Sequence, residues 1–146
     1  MMLSRRTFAS AMPFAISALV ACRQGPAQER CPHCGMLVDR NGPFRAELVS
    51  AADGRATGYD APRCALAASR SGTPGKLRVQ EFYTRTYVEG DAVRFVGGSD
   101  VEGPMGGELV PVMPDRVEKF MRDHHGERVY RSEEVTAAVL KKEGTP

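Results

Sequence analysis

Apolar positions recur along the chain at two spacings, and the alternation between those spacings lays out its elements. "PFRAELVS" and "RATGYD" carry the short patterns of half-buried strands, and "AADG" between them ends in Asp-Gly, a favoured tight-turn pair. A helix is expected from about Ala61 to Arg70, with Asp60 as its N-cap, Pro62 in the first turn and Gly72 just past the end. The strand "KLRVQEFY" completes this unit. The succession then returns. "TRTYVEG" and "AVRFVGG" read as strands around Gly90-Asp91, followed by the loop "SDVEGPMGG" and the strand "ELVPV". Val117, Phe120, Met121 and His124 stand at i, i+3, i+4 and i+7, one face of a helix opened by Pro114 and closed by Gly126. A short strand "RVYR" and a last helix from Ser132 finish the chain; Glu133 and Glu134 in its first turn and Lys141 and Lys142 in its last complement the helix dipole. The pattern predicts an α+β domain over residues 31–146, built from two small ββαβ units of about 31–83 and 84–146. No residue-level repeat accompanies it.

The amino-terminal stretch does not belong to that pattern. Arg5 and Arg6 precede a short apolar run from Phe14 to Val20, and no acidic residue comes before Glu29. The run is far shorter than the roughly 20 residues needed to span a bilayer, so it reads as an export signal. It closes with "LVAC", which resembles a lipoprotein signal over residues 1–21 with Cys22 as the lipidated first residue of the mature chain. "SRRTF" also resembles a twin-arginine signal; the alternative is that the two arginines simply supply the positive flank of any signal. Residues 22–30 are polar and aperiodic, the composition of a tether.

Charge narrows the partners. The chain has 20 Lys and Arg against 18 Asp and Glu, and two of the basic residues fall in the leader, so the mature chain is balanced. Nucleic acid is therefore not an expected partner. Attachment to a membrane would rest on the lipid at Cys22 rather than on a basic patch.

Chemistry concentrates in "CPHCGM", which places Cys31, His33, Cys34 and Met36 within six residues. A single C-x-x-C serves structural zinc, redox dithiols and copper carriers alike. Structural zinc usually takes two such pairs; here Cys64 with His124 or His125 would have to complete the set. Methionine discriminates better, because a thioether is a poor ligand for zinc and a good one for Cu(I). In an extended segment Cys34 and Met36 share a face. Met105, isolated among glycines and a proline in "GPMGG", fits a ligand better than core filler, whereas Met121 lies on an apolar helix face and Met113 fits either reading. His33 can add a nitrogen or point to water, and His124 and His125 suit the end of a helix.

These residues bring out a resemblance. "CPHCGM", "YDAPRCALAAS" and "AVRFVGGSDVEGPMGGELVPV" with a helix ending "HHGERVY" are similar, in order, to the NosL family of copper-binding lipoproteins associated with assembly of nitrous oxide reductase. The resemblance implies an α+β fold of two ββαβ units, related to that of organomercurial lyase. It also implies Cu(I) held by sulfur on the periplasmic face of a bacterial membrane and passed to the machinery that matures the copper centres of that reductase. By position Cys34, Met36 and Met105 match the family's ligands, Cys31 adds a further sulfur, and Cys64 reads as a small buried residue on the first helix. A carrier of this kind is not an enzyme. The competing expectation is a periplasmic thiol-disulfide oxidoreductase working through Cys31 and Cys34. Such a dithiol normally opens a helix, and the Gly- and Pro-rich run after Met36 disfavours one.

Overall fold

The computed structural model describes residues 28–144; Cys22, the leader and most of the tether lie outside the described residues. The end of the tether is already bound to the fold. Val38 N–H donates to Glu29 C=O at 2.9 Å, and Arg30 bridges Leu37.

The first unit consists of β1 (Ala46–Val49), β2 (Ala56–Tyr59), α1 (Pro62–Arg70) and β3 (Lys76–Gln80). The first strand is central, flanked by the other two in antiparallel register, with Ala46 opposite both Tyr59 and Val79. Ala46 and Leu48 point into the core and Glu47 lies between them on the other face, so a one-residue slip would bury a carboxylate. Gly54, at φ +68°, closes the hairpin as the Asp-Gly pair predicts. On the core side α1 is built of small residues, with Cys64, Ala65 and Ala68 buried beside Leu66. Its N-cap is Ala61 and no side chain caps it, so the expected capping by Asp60 is not formed.

A second departure concerns β4 (Tyr87–Glu89), which was expected to form a hairpin with the strand after it. It pairs instead with β3, extending the first sheet to the order β2-β1-β3-β4. The β3–β4 loop carries its own organiser. Glu81 is fully buried, and one carboxylate oxygen accepts the backbone N–H groups of Tyr83 and Thr84 at 3.0 and 2.7 Å. That compact turn closes before Gly90-Asp91 is reached, leaving the latter pair to redirect the chain.

The second unit repeats the topology of the first. β5 (Arg94–Gly97) is the central strand, a small hairpin of β6 (Glu102–Gly103) and β7 (Gly106–Gly107) intervenes, and β8 (Val110–Val112) and β9 (Arg128–Tyr130) flank β5. Between the flanking strands runs a 3-10 turn, Pro114–Arg116, continued by α2 (Val117–Asp123). Phe120 of α2 is fully buried against Val96, Val110 and Val112. The expected final helix is broken. A 3-10 turn, Ser132–Glu134, is followed by buried Val135, and α3 (Ala137–Glu143) starts afresh with Thr136 Oγ1 accepting Val139 N–H. Burying Val135 in the main core takes precedence over a continuous helix. From α3, Glu143 is buried against β9, accepting from Arg128 Nε at 2.5 Å and Tyr130 Oη at 2.8 Å. The larger core draws on both units, with Leu48, Leu66 and Val79 meeting Phe95 and Leu109. Among the described residues no helix is long and apolar enough to cross a membrane.

Candidate metal centre

The segment "CPHCGM" is a tight turn rather than a strand or helix. Cys31 N–H donates to Met36 C=O and Gly35 N–H to Cys31 C=O, both at 2.8 Å, and Gly35 takes φ +78°, a conformation that favours glycine. The turn brings Cys31 and Cys34 sulfurs to one side. It also removes the extended geometry that would set Met36 beside Cys34. Met36 contributes its backbone, whose N–H donates to the Cys34 sulfur, while its side chain is 41% exposed.

Two residues of "DAPRC" approach from the first unit. Asp60 stands just ahead of α1 and Cys64 in its first turn. The Sγ atoms of Cys31, Cys34 and Cys64 and a carboxylate oxygen of Asp60 lie within 4.8 Å of one another, close enough to surround a single ion. All three cysteines are free thiols. Cys31, Cys64 and Asp60 are 1%, 2% and 5% exposed, whereas Cys34 is half-buried. The Cys34 thiol donates to Asp60 Oδ2 at 3.2 Å, and Asp60 Oδ1 is buried with no hydrogen-bond partner.

From the second unit, the β6–β7 hairpin carries Met105 over the cluster. Its Sδ is 3.9 Å from Cys64 Sγ although the side chain as a whole is 46% exposed. Gly106 at φ +91° makes that turn possible. Met105 and Cys64, 41 residues apart, therefore form a soft edge at the surface of a buried thiol cluster.

Two of the thiols, Cys34 and Cys64, are held toward their protonated forms. Burial pushes the Cys34 thiol up; the Met36 N–H pulls it down, and the bond to Asp60 and the neighbouring Cys31 push it up again. Cys64 is raised much further, first by burial, then by Asp60 and Cys31. Several thiolates beside a carboxylate in a poorly solvated site repel one another, and a bound cation relieves that repulsion.

The histidines divide. His33 is exposed and lines the cavity next to Cys64 and Met105. His124 is committed elsewhere: its Nδ1 meets Asp100 at 3.1 Å and its ring lies 4.7 Å from that of Phe120 in the second core. Neither His124 nor His125 joins the cluster of Cys31, Cys34, Asp60 and Cys64, so the zinc set of Cys64 with either histidine is not assembled. What sequence reasoning missed is the pair Asp60 and Cys64. Their i, i+4 spacing at a helix start, together with an odd thiol left over from C-x-x-C, was the available signal.

The model of the NosL family matches residues 24–140. The chain belongs to the NosL family. Its fold agrees with a solved NosL structure, the crystal structure of the copper chaperone NosL from Shewanella denitrificans. The TM-score is 0.65 at 20% identity, over 79% of this chain and 97% of that one. At this identity the likeness is one of fold. No curated protein matches the sequence. The α+β architecture expected from the residue pattern is the NosL architecture.

Proposed function

We propose that this NosL-family chain is a copper carrier that binds Cu(I) in the thiol cluster and hands it on by ligand exchange. The observation that carries the reading is the convergence of three cysteine sulfurs within 4.8 Å of one another, with the Met105 thioether 3.9 Å from Cys64. Cu(I) is soft and content with two or three soft donors, so Cys31, Cys34 and Cys64 fill its shell while Met105 supplies an exchangeable fourth sulfur at the rim. Compared with the ligands read from the sequence, Cys31, Cys34 and Met105 are kept, Cys64 is added, and Met36 supports the turn through its backbone.

Cargo enters by displacing thiol protons. Because the Cys34 and Cys64 thiols are raised, loading costs proton release, and an acceptor that returns protons to Cys34 favours unloading. Cys34 is the partly exposed cysteine and Met105 the exposed thioether, so these two can be replaced in turn by an acceptor's ligands without freeing the ion. The setting proposed for this carrier, which the leader and the family resemblance support, is lipid attachment at Cys22, a position on the periplasmic face of the membrane, and delivery to the machinery that matures nitrous oxide reductase. The thiol-disulfide oxidoreductase reading finds less support. Neither Cys31 nor Cys34 begins a helix, and the Cys34 pKa is raised where a redox nucleophile needs it lowered.

Asp60 favours one second reading, a closed site of three thiolates and one carboxylate for Zn2+. X-ray absorption at the copper and zinc edges separates the two on the mature chain loaded anaerobically with each ion in turn. A sulfur-only Cu(I) shell that loses a scatterer in Cys64→Ser supports the carrier. Stoichiometric Zn2+ with an oxygen in its shell and no stoichiometric Cu(I) would replace it.

A further inference from the structure

The β6–β7 hairpin that carries Met105 has little of its own to hold it. Its strands pair over two residues each, Glu102 with Gly107 and Gly103 with Gly106, and three of the six residues from 102 to 107 are glycine. A two-stranded ladder this short is marginal in water. Yet Met105 Sδ stands 3.9 Å from the sulfur of Cys64, which belongs to the other unit. Something outside the hairpin sets that distance.

Two side chains do so. At the start of α1 Pro62 has no N–H, and the N–H of Arg63 lies in the first turn, where the helix itself offers no acceptor. Asp60 does not cap it. Glu108, 45 residues away and 3% exposed, takes that place: its Oε1 accepts Arg63 N–H at 3.1 Å and Leu109 N–H at 2.9 Å. The same carboxylate lies against the hairpin, since a Cβ on Gly103 would stand 2.5 Å from its Oε2. Arg63 returns the contact. Its Nη1 donates to Gly107 C=O at 2.7 Å, with Glu143 C=O at 3.5 Å, and a Cβ on Gly144 would stand 2.7 Å from it. Guanidinium and carboxyl also attract each other, so this is a mutually compensated pair held by backbone groups. Arg63 directly precedes Cys64, and Glu108 directly follows the hairpin. The clasp therefore joins the turn that presents the thiol to the loop that presents the thioether.

On this basis, which rests on the carrier reading above, we propose that Arg63 and Glu108 are positioning residues that hold the Met105 thioether in the Cu(I) shell. Neither touches the ion. Their clasp fixes Met105 against Cys64 before copper arrives, so the cost of ordering the hairpin does not fall on binding. Without it the three thiols keep their places and the thioether is no longer held over them.

The test is a double-mutant cycle on the mature chain, read by anaerobic competition titration of Cu(I). Arg63→Leu is the principal variant, because it removes the guanidinium from a partly exposed position and keeps the backbone N–H. Glu108→Leu removes the acceptor, and Glu108→Gln keeps one. Arg63→Leu is expected to weaken Cu(I) binding about tenfold, as Met105→Leu does, and the two together are expected to weaken it no further. The direction is informative, because loss of a positive charge near the site would by itself tighten the hold on a cation. Glu108→Leu should match Arg63→Leu, and Glu108→Gln should stay near the wild type. In the metal-free Arg63→Leu chain the amides of residues 102–107 should exchange faster, and in the loaded one X-ray absorption should show a sulfur scatterer lost. Additive losses from Arg63→Leu and Met105→Leu, or wild-type affinity in Arg63→Leu, would overturn the clasp and leave the carrier standing. A wild-type chain that takes up no stoichiometric Cu(I) would remove the carrier and this role with it.

Discussion

The two ββαβ units have one topology and opposite chemistry. In each, the first strand is central, the other two flank it, and a helix crosses between the flanking strands. Phe120 of α2 packs on the valines of its own sheet and joins an aromatic cluster with the β3–β4 loop. Phe120 lies 5.0 Å from Phe82 in an edge-to-face pair, with Tyr83 and His124 completing the ring cluster. Where α1 meets its sheet the residues are small, and its first turn carries a thiol into a cluster with a carboxylate. Aromatic packing locks a helix in place with large apolar area. Small residues leave the room that a turn, a hairpin tip and an ion need. One unit thus serves mainly as scaffold, and the other holds the site at the seam that the scaffold closes with Met105.

If that division holds, the largest effect comes from breaking the scaffold. Phe120→Ala should destabilise the domain by about 3–5 kcal/mol in urea unfolding while leaving one Cu(I) bound per folded chain. Lost copper stoichiometry in the folded variant would show that the second unit does more than support the site.

The next effect lies at the seam. Glu108 is buried there, its Oε1 accepting backbone N–H groups of Arg63 at 3.1 Å and Leu109 at 2.9 Å. Burial pushes its carboxyl up to about 7 from an ordinary 4.5, although those hydrogen bonds and the Arg63 charge oppose the shift. The native state therefore holds the proton more tightly than the unfolded one. Its stabilising contribution is complete below pH 4.5 and is lost as pH rises through about 7, on the order of 3 kcal/mol in all. Denaturation midpoints between pH 5 and pH 8 should fall for the wild type and flatten for Glu108→Gln. Parallel curves would discard this assignment.

Smaller effects follow at the rim and at the end of the chain. Met105→Leu keeps the apolar bulk and removes the sulfur; a competition titration should show Cu(I) affinity weakened about tenfold with unfolding unchanged. Unchanged affinity would take Met105 out of the shell. Thr136→Ala deletes the cap of α3 and should cost about 1 kcal/mol, read as a small drop in thermal midpoint with Cu(I) affinity intact. A larger loss of affinity than of stability would mean that α3 positions the cavity more tightly than its cap suggests.

Much of this was legible from local spacing. The alternation in Ala46–Val49, the helical face of Val117, Phe120 and Met121, and the glycine-bounded helix after Asp60 each name an element correctly, because side-chain periodicity is written within a few residues. Met105 stood out because its neighbours made a poor core, and the fold sets it against a thiol. Asp60 shows the limit. Its position before a helix makes capping the natural local reading, yet its carboxylate reaches Cys34, 26 residues away. For Cys64 the sequence revealed burial but not against what.

The chain's own order of residues determined most of the strands and helices, the α+β class and the sulfur-rich segment, since these depend on hydrophobic period and on contacts between near neighbours. Tertiary structure decided that β4 joins the first sheet, that Val135 interrupts the last helix, and that Asp60 and Cys64 face Cys31 and Cys34. Those outcomes turn on contacts between distant segments, whose worth is set by how the whole core packs and not by any short stretch of sequence.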